Sequence, residues 1–318
     1  MDASGFLNVD KPAGWTSFRV AALLRRRSGV RRVGHTGTLD PTATGVLVVC
    51  LGAATRLSEY VMELPKAYRA EVRLGVATDT FDAAGVAVSE TDPSGVSREQ
   101  VENALAGFLG EIEQVPPLFS AIKHAGEPLY RYARSRREVH PQPRSVVIYR
   151  LQLLGFQPPL LTIELECGKG TYVRSLAHDL GQRLGCGAHL ASLVRLRVGP
   201  FALEDAYTLP DLEQAFDEER WRELILPPDA ALAHWPRIDL TDEQATAVRF
   251  GQALVAADLA LSPPQEPADG ALASAYGPEG GLLAILRYDG PSALWHPSKV
   301  FAGAGNAREA NAGAQGDT

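Results

Sequence analysis

One join restricts the fold of this 318-residue chain more than any other. A glycine-punctuated loop, Gly34-His35-Thr36-Gly37-Thr38-Leu39-Asp40-Pro41-Thr42-Ala43-Thr44-Gly45, runs straight into the wholly apolar segment Val46–Leu51. A short continuous apolar run of this kind reads as a buried strand. The loop is therefore tethered to the core, while its glycines and Pro41 give the backbone a sharp, fixed path.

Other elements follow from pattern. Gly5–Val9 reads as a short strand stopped by Lys11-Pro12, and Ser17 as the N-cap of a helix to Ser28 that Gly29 ends. Tyr68, Ala70, Val72 and Leu74 alternate with Arg69, Glu71 and Arg73, the signature of a half-buried strand. Ser97 and Gln100 form a capping box before a helix to about Leu109. Leu160–Cys167 is a further strand, and 171–184 a helix ended by Gly185. Residues 115–145, rich in proline and basic residues without a clean period, read as an inserted excursion. The Pro-rich stretch 227–236 marks a boundary. Beyond it a small β-rich module is expected over 236–303, with strands near 282–288 and 298–302 and a loose segment at 255–275. Residues 304–318, rich in Gly, Ala and Asn, are expected to be a disordered tail. The sum is an α+β fold with a mixed sheet.

Charge singles out one residue. From Lys11 to Ser58 there are eight basic residues and a single acid, Asp40. Residues 118–150 carry seven basic side chains against Glu127 and Glu138, whereas 204–229 carry nine acids and two arginines. The net charge of −7 averages these regions away, but a polyanion responds to the local basic face. Solvated helix faces are the bland alternative, and Arg25, Arg26 and Arg27 cannot all share one face. Neighbouring cations are expected to keep the Asp40 carboxylate ionised, which suits a nucleophile or a general base. An Asp-Pro turn residue is the competing interpretation, and on charge and spacing alone the two stand even. Gly168-Lys169-Gly170-Thr171-Tyr172-Val173-Arg174 fits an RNA-contacting or carboxylate-orienting turn, and equally an ordinary strand-to-helix turn.

Several classes find no support. The loop lacks GxxxxGK[ST], and GxGxxG is absent. Cys50, Cys167 and Cys186 form no CxxC pair, and the histidines no HxH or HxxxH, so no disulfide framework or metal site is expected. No secretory signal or membrane span is visible, so a cytoplasmic protein is expected.

The motifs resemble those of the bacterial TruB family of tRNA pseudouridine synthases, relatives of the dyskerin-type enzymes. GFLNVDKPAGWTS (5–17), GHTGTLDPTATGVL (34–47), RLGVATDTFDAAG (73–85), PPLFSAIKHAGEPLYRYAR (116–134), GKGTYVRSLAHDLG (168–181) and AHLASLVRLRVGPF (188–201) occur in the family's order. Val194, Leu196 and Phe119 depart from its usual arginine, threonine and tyrosine.

This resemblance implies a pseudouridine synthase fold over 1–235, with 115–145 as an RNA-gripping insertion and 236–303 as a PUA-like RNA-binding module. It implies a cofactor-free isomerisation of the T-loop uridine at position 55 of tRNA. Asp40 matches the catalytic aspartate, Arg174 the arginine that pairs with it, and Tyr68 the tyrosine that stacks on uracil and serves in proton transfer. Tyr172 and Leu193 match residues of the base pocket, His35 a histidine near the flipped nucleotides, and Asp82 an acid near the active site. Lys11 lies in the matching lysine-proline segment as a substrate-binding candidate. The implied partner is the T-arm of tRNA. A guide-RNA-dependent relative is a further reading, but the chain's length and its insertion favour a stand-alone enzyme without guide RNA, expected as a monomer. An RNA-remodelling protein whose catalysis is secondary is the alternative.

Overall fold

In a computed structural model of the chain, residues 3–301 are described except 121, 125 and 136; the expected tail at 304–318 lies outside the described residues. They form two compact units, one of 7–50 and 55–224, the other of 3–6, 51–54 and 225–301.

The larger unit is organised by one mixed sheet. Its main strands are β1 (Gly5–Lys11), β2 (Thr44–Leu51), β3 (Lys66–Leu74), β4 (Gly110–Gln114), β5 (Arg144–Gln157), β6 (Leu160–Cys167), β7 (Ala188–Val198) and β8 (Tyr207–Thr208). They lie in the order β8-β1-β2-β7-β3-β6-β5-β4. The β1·β8 and β2·β7 pairs are parallel, whereas β7·β3, β3·β6, β6·β5 and β5·β4 are antiparallel. Val46–Leu51 is buried throughout, as its unbroken apolar run requires. Along β3 the alternate residues from Lys66 to Leu74 are buried while Arg69, Glu71 and Arg73 are exposed.

Three helices matter for the site: α1 (Ser17–Ser28), α2 (Arg98–Ala106) and α3 (Val173–Arg183). Leu176, Ala177 and Leu180 of α3 pack with Val72, Ile163, Leu165 and Ala188 of the sheet, and Val101 and Leu105 of α2 join the same core. Gly29 ends α1 in the left-handed conformation, and Ser97 and Gln100 complete the capping box of α2. One expectation is corrected. Thr16, not Ser17, caps α1 by accepting from Arg19 N, which frees the Ser17 hydroxyl for another task.

A close backbone approach between two strands of the sheet lies where β2 leaves the glycine-rich loop. Gly45, at φ +95°, is paired with Arg195, and a Cβ there would stand 2.3 Å from the Arg195 carbonyl oxygen. Gly45→Ala is expected to destabilise the protein by at least about 3 kcal/mol, as both strain and backbone overlap must be relieved. Urea unfolding monitored by circular dichroism would measure it, and a midpoint near that of the parent would contradict the close approach.

Within 115–145 the chain forms a two-stranded ribbon of Lys123–His124 and Glu127–Pro128 and a helix, Leu129–Arg134. The smaller unit carries a six-stranded sheet in the order Leu254–Val255, Leu294–Val300, Leu282–Asp289, Leu272–Tyr276, Arg237–Asp239, Leu261–Ser262. The segment 255–275 thus supplies an edge strand and the start of an inner one. Trp295, Ile238, Leu286 and Val248 fill its core. Cys50, Cys167 and Cys186 are free and buried, and burial pushes the Cys50 thiol up to about 12 and that of Cys167 up to about 11. Among the described residues no helix is long and apolar enough to cross a membrane.

Candidate active site

The loop that carries Asp40 is held from several sides. Ser17, at the start of α1, accepts from Leu39 N at 2.9 Å and donates to Leu39 O at 3.2 Å, fixing the residue before Asp40 at both ends of its backbone. Gly14 N donates to Pro41 O at 2.8 Å, and Ala43 N to Asp40 O at 3.1 Å. Asp40 is therefore an Asp-Pro turn residue as well as a candidate for chemistry; the two interpretations are compatible.

Lys11 has no exposed surface. Its ammonium donates to Trp15 O at 2.8 Å, Pro12 O at 3.0 Å and Pro41 O at 3.4 Å, and burial pushes its pKa down to about 8 against the pull of Asp40. All three donors are directed at carbonyls, so Lys11 ties the Asp40 loop to the segment that follows β1.

Arg174 reaches Asp40 from the first turn of α3. Its Nη2 donates to Asp40 Oδ1 at 3.1 Å, and its Nε stands 2.8 Å from Oδ2, off the hydrogen-bonding line. The same guanidinium donates to Phe119 O at 3.0 Å and Thr80 O at 3.4 Å, and lies 3.8 Å from Asp82 Oδ2. One planar fork thereby gathers three loops, a task for which lysine lacks the geometry. Asp82 is itself fixed, accepting from Thr80 Oγ1 at 2.7 Å and Ala84 N at 3.0 Å.

Burial raises the Asp40 carboxyl above the ordinary carboxylate range; Arg174 and Lys11 oppose that shift and Asp82 adds to it. The expected cations do surround Asp40, and burial acts against them. Folding removes water from the carboxylate, and that loss outweighs its positive neighbours. The Asp40 side chain nonetheless keeps 34% of its surface open. It opens into a cleft of about 130 Å³ lined by Asp40, Thr42, Asp82, Leu190, Ser192 and Leu193 among others.

Tyr68 lies on β3 at 9% exposure in the core below, its phenol raised by burial and eased back by Arg195. Tyr172 precedes α3, and burial raises its phenol while the charge of Arg174 lowers it. His35 is half-buried, with burial and Arg195 lowering its pKa and with no partner for Nδ1. The structure thus brings Asp40, Asp82 and Arg174 into direct contact and places Leu193 on the cleft wall. Lys11, His35, Tyr68, Tyr172 and Arg174 are not among the residues lining that cleft.

Arg195 escaped sequence reasoning. It is 2% exposed, and donates to Val46 O at 2.6 Å and Gly37 O at 3.2 Å, binding the glycine-rich loop to β2 from behind. Irregularities in the β7·β3 register on either side of it shift the inward parity, so no simple alternation marks Arg195 as buried.

Comparison with known proteins converges on one family. The profile "TruB family pseudouridylate synthase (N terminal domain)" matches residues 25–173, and "tRNA pseudouridylate synthase B C-terminal domain" matches 174–233. A tRNA pseudouridine synthase B of Dehalococcoides mccartyi (strain ATCC BAA-2266 / KCTC 15142 / 195) is 45% identical over 94% of this chain and 96% of its own length. That of Symbiobacterium thermophilum is 51% identical over 79% of this chain and 83% of its own. Among solved structures, a chain of a Cbf5-Nop10-Gar1 complex superposes with TM-score 0.71 at 30% identity, covering 90% of this chain and 78% of its own. A chain of an H/ACA RNP bound to a substrate RNA containing 2'-deoxyuridine gives 0.73 at 27% identity, covering 94% and 85%.

Proposed function

We propose, because this chain belongs to the TruB family of pseudouridylate synthases, that Asp40 is the carboxylate through which it isomerises uridine in tRNA. The chain is a tRNA pseudouridine synthase, an isomerase. Its target in our proposal is the T-loop uridine at position 55, extruded from the folded loop because neither C1′ nor the base faces can be reached within it. The observation that supports Asp40 most directly is its hydrogen-bonded ion pair with buried Arg174 at the edge of a cleft.

The ionised carboxylate of Asp40 acts at the ribose C1′ region, as nucleophile at C1′ or as base toward a ribose proton. The N1–C1′ bond breaks, the uracil turns, and C5 joins C1′. The C5 proton is then lost and N1 gains one, so substrate and product are isomers and no net oxidant or reductant enters. Arg174 orients Asp40 and favours its ionised form. Tyr68, its phenol kept protonated by burial, stacks on the uracil and serves in proton transfer, while Tyr172 and Leu193 wall the base. Asp82 completes the cluster around Arg174. Lys11 supports this site through the Pro41 carbonyl, and His35 assists the flipped nucleotides. The reaction proceeds without cofactor or metal.

The basic stretches 11–58 and 118–150 would meet the phosphates of the T-arm, with 115–145 as the gripping insertion and 236–303 as a PUA-like module. We assign an enzyme acting as a monomer without guide RNA, the second point supported by relatives named for tRNA. Affinity for tRNA is expected to fall steeply with salt: neutralising about six phosphates lowers it by ~10³-fold between 50 and 200 mM. A flat dependence in filter binding would take those arginines off the RNA.

Purified chain incubated with unmodified tRNA transcript, followed by modification mapping with no metal or nucleotide added, tests the assignment. Pseudouridine at the single T-loop uridine is the expected product. Tight binding without product would instead favour tRNA remodelling.

A further inference from the structure

The root of the insertion is stitched to the turn that carries Arg174. Gln114, the last residue of β4, is 2% exposed, and its side chain points at the backbone of Tyr172. Its Oε1 accepts from Tyr172 N at 2.7 Å and its Nε2 donates to Tyr172 O at 3.0 Å. The amide thus pairs with Tyr172 as a neighbouring strand would, two residues before Arg174. The next residues repeat the attachment. Ser175 Oγ donates to Val115 O at 2.7 Å, and Arg174 Nη2 donates to Phe119 O at 3.0 Å.

We infer that Gln114 is a positioning residue for the reaction, holding the 172–175 turn so that Arg174 presents its fork to Asp40, and that 114–120 couples the insertion to that pair. This rests on the assignment of Asp40 and Arg174 given above. The physical ground is specific. A buried primary amide must satisfy both its donor and its acceptor, and here a single residue's backbone satisfies each. Tyr172 N, at the N-cap of α3, has no partner within the helix, so Gln114 supplies what the N3 side chain of a capping box otherwise would. Arg174 meanwhile spends one nitrogen on both the Asp40 carboxylate and the Phe119 carbonyl. Displacement of residues 114–120 is therefore felt at the carboxylate through that shared nitrogen.

Gln114→Met keeps the length and volume of the side chain and removes both hydrogen bonds; Gln114→Glu keeps only the acceptor. Each would be compared with the parent and with Asp40→Asn in single-turnover pseudouridine formation and in tRNA affinity. The expected result for both Gln114 variants is a rate about tenfold lower, a fraction of the roughly hundredfold that a ~1 Å misplacement costs. Affinity should stay within about twofold, because residues that grip phosphate are untouched.

A second readout separates positioning from general damage. Asp40 is faced by Arg174 from α3, Lys11 from β1 and Asp82 from its loop. Loosening Arg174 weakens the largest influence favouring the ionised carboxylate, so the acid limb of the rate profile should move to higher pH in Gln114→Met. An unchanged rate in Gln114→Met would overturn the inference, as would equal losses of rate and affinity with the acid limb fixed. Product formation by Asp40→Asn would overturn the underlying assignment instead, so the two failures are distinguishable.

Discussion

Asp40→Asn is expected to bind unmodified tRNA within about tenfold of the parent and to form no detectable pseudouridine, because positioning contacts lie elsewhere on the protein. The substitution is nearly isosteric, and the surroundings can absorb it. Arg174 retains the Phe119 and Thr80 carbonyls and the nearby Asp82 carboxylate, so its charge is not abandoned in the interior. The turn also survives, because Ser17 holds Leu39 and Gly14 holds Pro41 through main-chain atoms that the substitution does not touch. What disappears is the ionisable oxygen that either form of the chemistry requires. Filter binding with mapping on the same transcript decides the matter. A parallel collapse of affinity would make Asp40 a structural residue.

Replacing its partner should do more widespread harm. Arg174→Gln is expected to slow the reaction by about 10²–10³-fold, the range seen when one preorganised charge-stabilising group is lost. It should also cost about 3 kcal/mol of stability, since breaking a buried ion pair leaves a half-buried carboxylate without its cation. The pH profile carries a sign that can be fixed in advance. Burial raises the Asp40 pKa and Arg174 is the largest influence lowering it. Without Arg174 the carboxyl binds its proton more tightly, and the acid limb moves to higher pH. Because ionised Asp40 is the active form, some rate should return as pH rises. A profile displaced downward, or displaced not at all, would remove Arg174 from the electrostatics of Asp40.

Much of this site was legible in the sequence because its signals are local. A lone acid among eight cations, flanked by glycine and proline and followed by six apolar residues, specifies a fixed loop at a core strand. The α2 capping box and the alternation along β3 are equally local. What escaped notice depends on which distant segments meet. Ser17 has the chemistry of a cap, and nothing nearby reveals that its hydroxyl binds Leu39 while Thr16 does the capping. Charge counting foresaw cations around Asp40 but not the loss of water that outweighs them. Lys11 and Arg195 look like surface cations in a list of residues, yet both are buried with their donors on carbonyls. Gln114 carries no sequence signal of its own, because its partner is the backbone of Tyr172.

The buried cysteines give the molecule an internal clock. Cys50 lies in the apolar run that follows the Asp40 loop and Cys167 ends β6, so their sulfurs lie on separate strands of one sheet. Alkylating reagents attack thiolates, and with pKa values near 12 and 11 almost none exists at neutral pH while the fold is intact. Each labelling event therefore records an opening of the strand that carries the sulfur. Mass-resolved alkylation would time the two strands separately in a single sample, turning residues without any part in the chemistry into reporters of how often the sheet comes apart.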